Sequence, residues 1–143
     1  MAVKFFNADR SVKLANRRKL RLFITDLFAR SGKSFRSLSY IFCSDEYLLA
    51  INRQYLYHDD YTDIISFLLS DPGEAIEGEI YISIERVREN AAALKVSFNE
   101  ELHRVIFHGA LHLLGFKDKS SADKLEMTAA ENDCLERYFN SHK

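Results

Sequence analysis

His108–Gly109–Ala110–Leu111–His112–Leu113–Leu114–Gly115–Phe116–Lys117–Asp118 is the stretch on which the reading of this chain turns. It continues an apolar pattern of helical period, in which Leu102, Val105, Ile106, Gly109 and Leu113 recur on one face. That face predicts a helix clamped into a core. His108 and His112, four apart, stack one turn above the other, round the cylinder from most of the apolar stripe. Gly115 can turn the chain back past the helix end, which brings Asp118 towards the imidazoles. Two nitrogens and a carboxylate oxygen about one point, with a fourth position left to water, is how a catalytic zinc is held. One Zn2+ per chain on His108, His112 and Asp118 is therefore the expected cofactor, with nickel and iron fitting nitrogen–oxygen donors nearly as well. The spacing matches long zinc-peptidase motifs, but those carry a glutamate directly after the first histidine as general base. Gly109 stands there, so peptide hydrolysis is not expected.

Working outward, residues 2–6 read as a short strand, and Asn16 is placed to cap a helix through Leu20, Phe23, Ile24, Leu27 and Phe28, ended at Gly32. Residues 35–43 alternate as a strand with Leu38, Tyr40 and Phe42 on one face. Ser44, followed by Asp45 and Glu46, opens a helix to about Tyr55. Ile64–Leu69 reads as a strand buried on both faces, Asp71–Pro72–Gly73 as a turn, and Glu79–Ile84 as a strand leading into a helix to about Lys95. Asn99 is expected to cap the histidine-bearing helix. Ser120, Ser121 and Asp123 open a last helix carrying Leu125, Leu135, Tyr138 and Phe139. Strands and helices in this irregular order predict an α+β fold: a single domain over 1–143, with a small mixed four-stranded sheet, about five helices, and the metal site on a core helix.

Composition sets the bounds. At 143 residues, 47% hydrophobic, with one proline and five glycines, the chain can bury a core and has no room for a long linker. No apolar run approaches bilayer length and no signal-peptide pattern is present, so no membrane partner is expected. Cys43 and Cys134 lie far apart without a C-x-x-C partner, which suits buried thiols in a reducing, cytoplasmic setting. The net charge of −1 hides an asymmetry: residues 1–36 hold ten Lys/Arg against two Asp, a net +8, leaving −9 for the rest. Such a cluster, with Arg17, Arg18, Lys19 and Arg21 at its centre, is either a nucleic-acid footprint or a solvated helix face.

The run from His108 to Phe116 resembles the signature of the YbeY-type rRNA-maturation endoribonuclease family. Asn52 to Tyr55, followed by Thr62–Asp63–Ile64–Ile65–Ser66–Phe67, is similar to that family's N-x-x-Y and T-D-V-L-S-F segments, and Gly78–Glu79–Ile80–Tyr81–Ile82–Ser83 to its G-D-I-x-I-S strand. The three occur in the family's order over about residues 40–140. The resemblance implies a zinc-dependent endoribonuclease of single-stranded RNA in rRNA maturation and ribosome quality control, with ribosomal RNA or the ribosome as partner. Two positions depart from the pattern. Asp118 stands where the family commonly has a third histidine, an accepted exchange at zinc. Leu56 stands where it usually has an arginine, whose two-pronged grip on phosphate leucine cannot reproduce.

Other candidates follow from place and chemistry. His58, in the loop before Thr62, is either a phosphate ligand or general acid, or an ordinary loop histidine. Asp59, Asp60 and Asp63 offer a base or a second ligand, Asp63 otherwise bonding backbone at a strand start. Lys117 and Lys119 flank Asp118 as RNA contacts or as plain loop lysines. His103 is expected on the surface, off the ligand face, and His142 belongs to a tail. The chemistry is either hydrolysis by activated water or 2′-hydroxyl attack on a polarised phosphoryl group. The alternative function is a non-catalytic, metal-containing RNA- or ribosome-binding assembly factor, which Leu56 favours. A nucleotide hydrolase lacks support for want of a Gly-rich phosphate loop.

Overall fold

A computed structural model describes residues 2–58 and 61–140. Three serines set the frame of the helices. Ser44 Oγ accepts from Tyr47 N–H and starts α2 (Asp45–Leu56), Ser83 Oγ accepts from Arg86 N–H and starts α3 (Ile84–Leu94), and Ser97 Oγ accepts from Glu100 N–H and starts α4 (Phe98–Leu113). The cap of α4 is thus Ser97, not Asn99. Asn99 lends only its carbonyl, 2.7 Å from His103 Nδ1. Before them α1 (Arg17–Arg30) begins after Asn16, which takes a left-handed backbone and makes no side-chain cap bond. In α5 (Ser121–Asn140), Ser120 Oγ accepts from Asp123 N–H while Asp123 Oδ2 accepts from Ser120 N–H, a reciprocal cap.

The four described strands, β1 (Ala2–Asn7), β2 (Phe35–Cys43), β3 (Ile64–Leu68) and β4 (Ile76–Ser83), form one sheet in the order β1-β2-β4-β3. β1, β2 and β4 run parallel and β3 antiparallel to β4. The fold is α+β with a mixed four-stranded sheet and five described helices, as the sequence predicts. β4 begins three residues earlier than its apolar pattern, and Ile84 already belongs to α3. β3 is not buried on both faces. It is an edge strand in which only Ile65 is fully buried, and Leu68 and Leu69 are half exposed. An apolar run records affinity for a sheet but not the position within it.

Leu20, Ile24 and Phe28 of α1, Leu38, Tyr40 and Phe42 of β2, Ile80 and Ile82 of β4, and Leu102, Val105 and Ile106 of α4 form the main core. Tyr40 donates its buried hydroxyl to Ile106 O at 2.8 Å and so ties α4 to the sheet's centre. Two glycines let that helix lie close. A Cβ on Gly109 would stand 2.8 Å from Ile80 Cδ1, and one on Gly78 would stand 2.7 Å from Leu113 Cδ1. His103 is buried, not on the surface: its ring stacks on Tyr138 (centroids 5.3 Å, 25°) under α5. A helix roofed by a second helix has little free face. On α5 the apolar stripe holds at Leu135 and Tyr138, but Leu125 lies in solvent near the exposed start. Cys43 and Cys134 are buried free thiols, with pKa values pushed by burial up to about 12 and about 11. No described helix is long and apolar enough to cross a membrane.

Candidate functional site

The end of α4 makes the turn that the sequence asks for. Gly115 takes φ +108, its N–H bonds to His112 O, and Phe116 N–H bonds to Leu111 O. This pair is the Schellman closure of a helix, with Phe116 packed back on the core. Lys33 Nζ adds a bond to Leu114 O at 2.9 Å, placing a cation at the negative helix end. The returning chain sets Asp118 Oδ2 3.5 Å from His108 Nε2. Two donors, each ~2.0–2.1 Å from a tetrahedral zinc, stand ~3.3 Å apart. The His108–Asp118 spacing is close to that.

The other nitrogen of His108 is also engaged. Nδ1 lies 2.6 Å from Glu131 Oε2, on α5, and Glu131 Oε1 accepts from Arg104 Nη1 at 3.0 Å. A carboxylate on one ring nitrogen, with the second nitrogen aimed into a cleft, is the outer-sphere arrangement typical of a metal-binding histidine. Burial by itself lowers the His108 pKa, but the Glu131 hydrogen bond and charge, with Asp118 and Asp63 beyond, hold it above the ordinary histidine value.

His108, His112 and Asp118 all line one cavity of about 700 Å³, with Leu56 and Asn52 of α2, His58, Asp63 and Ser66 on its other walls. His112 is exposed at the last turn of α4. Among the described residues no three His, Cys, Asp or Glu side chains are yet gathered tightly enough to hold an ion. The donor set fits by its chemistry and by the His108–Asp118 separation. Asp63 O accepts from Ser83 N–H, while its carboxylate takes Asn90 Nδ2 at 3.3 Å. Burial pushes the Asp63 carboxyl up against the opposing charge of His108.

Four candidates for RNA contact lie away from this cavity. Lys19 Nζ rests over the Tyr138 ring at 4.5 Å. Arg21 donates to Val3 O at 3.0 Å and stacks on Phe5. Arg17 and Arg18 sit beside them on α1, outside the cavity walls, and Lys117 is exposed next to Asp118. Asp59, Asp60 and His142 lie outside the described residues.

Sequence reading passed over Glu131, Arg104 and Glu101. The signal was present for Glu131: Met127, Glu131, Cys134 or Leu135, and Tyr138 occupy successive core positions of α5, so a carboxylate in that stripe required a partner. Glu101 is its counterpart on α4. It is 5% exposed, and its Oε1 has no hydrogen-bond partner among the described residues. Burial raises its pKa, Arg104 opposing and Asp63 and Glu131 adding to the rise. A carboxyl so raised contributes stability at acid pH that is lost as pH climbs through the folded pKa. Glu101→Gln is therefore expected to gain about 1 kcal/mol at pH 8, and the gain should shrink at pH 4.5. Urea unfolding at the two pH values measures it, and an equal or negative change at pH 8 would refute it.

The family model described as Endoribonuclease YbeY matches residues 4–139. A Flavobacterium psychrophilum protein named Endoribonuclease YbeY is 53% identical over 115 residues, 80% of this chain and 81% of its own. Its namesake from Cytophaga hutchinsonii is 46% identical over 131 residues, 92% of each. The solution structure of TM1509 from Thermotoga maritima superposes with a TM-score of 0.63 at 23% identity, over 98% of this chain and 91% of that one, and shares the fold.

Proposed function

The chain belongs to the Endoribonuclease YbeY family, and from that premise we propose that it cleaves single-stranded RNA, in ribosomal RNA maturation, at a metal ion held by His108, His112 and Asp118. The observation that carries the reading is His108, held by Glu131 through Nδ1 while Nε2 faces Asp118 across the cavity. A Zn2+ held by His108, His112 and Asp118 would supply Lewis acidity, for polarising a phosphoryl oxygen or acidifying a water molecule.

This chain's own residues prepare that chemistry. Glu131 keeps the His108 proton on Nδ1, which leaves Nε2 as a lone-pair donor. Arg104 fixes Glu131 by pairing with it at 3.0 Å and is steadied in turn by Asn132 Oδ1 at 2.8 Å. The Gly115 turn and Lys33 hold the strap that carries Asp118. His58 lines the same cavity, and in this reading it holds or delivers a proton at the leaving oxygen.

One observation favours a second reading. Leu56 lines the cavity at the position where the family resemblance places an arginine, and the cavity's guanidinium, on Arg104, is tied to Glu131 and Asn132. With no unengaged guanidinium among the described residues that line the cavity, the site suits a non-catalytic factor that binds RNA or the ribosome.

Incubation of a labelled single-stranded RNA with the metal-loaded, untagged protein, with and without chelator, separates the two. Cleavage that chelation abolishes while the melting temperature stays put is the expected result. Binding without cleavage selects the second reading, and unfolding on chelation makes the ion structural.

A further inference from the structure

A second concavity, of about 530 Å³, lies on the opposite face of the sheet between α2 and the β3–β4 hairpin. Its walls are aromatic. Tyr47 and Tyr55 come from α2, Phe67 from β3 and Tyr81 from β4, and Tyr47 and Tyr55 are 40% and 59% exposed. The rings meet edge to face, Tyr55 on Phe67 (6.0 Å, 78°) and Phe67 on Tyr81 (5.9 Å, 85°). None of these rings is stacked face to face on another, and Tyr47 and Tyr55 keep much of their surface in solvent. Two polar groups reach the same space: Gln54, and Glu79, whose Oε1 accepts from the Tyr81 hydroxyl at 3.2 Å.

The groove and the metal cavity share no wall residue, but they adjoin at consecutive residues of the same two elements. On α2, Leu56 faces the cavity and its neighbour Tyr55 the groove. On β3, where successive side chains alternate between faces, Ser66 faces the cavity and Phe67 the groove. A strand whose phosphodiester lies in the cavity needs only to pass over Tyr55 and Leu56 to present its next bases here.

We propose that this groove binds an unpaired, amino-bearing nucleobase of the RNA strand whose phosphodiester occupies the metal cavity. The inference rests on the RNA reading above and adds the place where a flanking base is held. Exposed aromatic faces stack on any base. The Glu79 carboxylate repels phosphate, so the backbone stays outside the groove, and it accepts from an exocyclic amino group such as cytosine N4. Uracil has no such group and is the disfavoured occupant.

The test uses metal-loaded protein and a labelled single-stranded RNA in 2′-O-methyl form, verified to stay intact under the binding conditions, with each position made abasic in turn. Binding is followed by anisotropy for wild type, Tyr47→Ala, Tyr47→Leu and Glu79→Gln, with cleavage of the unmodified parent RNA run in parallel. One abasic position is expected to weaken wild-type binding about tenfold. The same lesion should cost the two Tyr47 variants nothing further, and Glu79→Gln should lose the preference for cytosine over uracil at that position. Tyr47→Leu keeps apolar bulk without an aromatic face, so it separates stacking from simple packing. If wild type cuts the parent but no abasic position couples to Tyr47, the groove proposal is wrong and the endoribonuclease reading stands. If the parent is neither bound nor cut, both fall. A Tyr47 variant that keeps the wild-type abasic profile but loses a protein partner also overturns the proposal, making the groove a protein contact.

Discussion

His112→Ala should lose RNA cleavage by on the order of 10³-fold, the scale on which removal of one preorganised electrostatic group slows an enzyme, while its stability stays within about 0.5 kcal/mol of wild type. The two halves of this expectation have separate physical origins. His112 is exposed on the last turn of α4 and belongs to neither apolar cluster. Alanine there forfeits a small favourable interaction with the helix end and regains it in helix propensity. In the proposed metal site catalysis has no such compensation, because the two donors left, His108 and Asp118, would hold an ion far less firmly than three. Gel-resolved cleavage, metal content and a thermal melt on identically purified proteins are the measurements. Equal cleavage by variant and wild type would remove His112 from the site and point to a contaminating nuclease.

Gly109→Val is expected to cost about 3 kcal/mol, near the upper end of the range for overpacking a filled core, and to lower the melting temperature by about 10 °C. Gly109 lies between the two histidines in sequence but faces the sheet. A Cβ there stands 2.8 Å and 2.9 Å from two carbons of Ile80 and 3.0 Å from Ile64 Cδ1, and Ile80 is fully buried in the central sheet. Valine adds two further methyl groups to that contact, so either Ile80 leaves its rotamer or α4 lifts from the sheet. Lifting carries His108 away from Glu131, whose position is set by α5, and cleavage should fall with stability. Gly109→Ala should be milder, since alanine's better helix propensity offsets about 1 kcal/mol of the crowding. A Gly109→Val protein as stable as wild type would show that the helix–sheet contact is looser than these distances require.

Much of the candidate site could be read from the chain because its signals are local. Helical spacing puts His108 and His112 on one face, and a glycine that must take positive φ returns the chain to Asp118. Both depend only on residues within eleven positions of each other. Serine caps at Ser44 and Ser120 belong to the same class. Where several polar residues competed for a helix start, local reading slipped: Ser97 and not Asn99 caps α4, because only Ser97 has its hydroxyl on Glu100 N–H. The apolar run at Ile64–Leu69 shows a sharper limit. Its composition is that of a buried strand, yet β3 ends the sheet, and its uncovered side chains wall the cavity and the aromatic groove.

The sequence by itself determined the α+β class, the registers of the core-facing stripes, and the turn that carries Asp118 back to His108, since each follows from backbone periodicity or from the φ that one residue allows. Only the tertiary structure decided what surrounds them. It placed Glu131 of α5 on His108 and Arg104 on Glu131, roofed His103 under Tyr138, drew Lys19 and Arg21 into internal contacts away from the cavity, and brought Tyr55 and Phe67 side by side. Those contacts join residues far apart in the chain. Their formation depends on how helices and sheet pack as solids, and no spacing along the sequence encodes that.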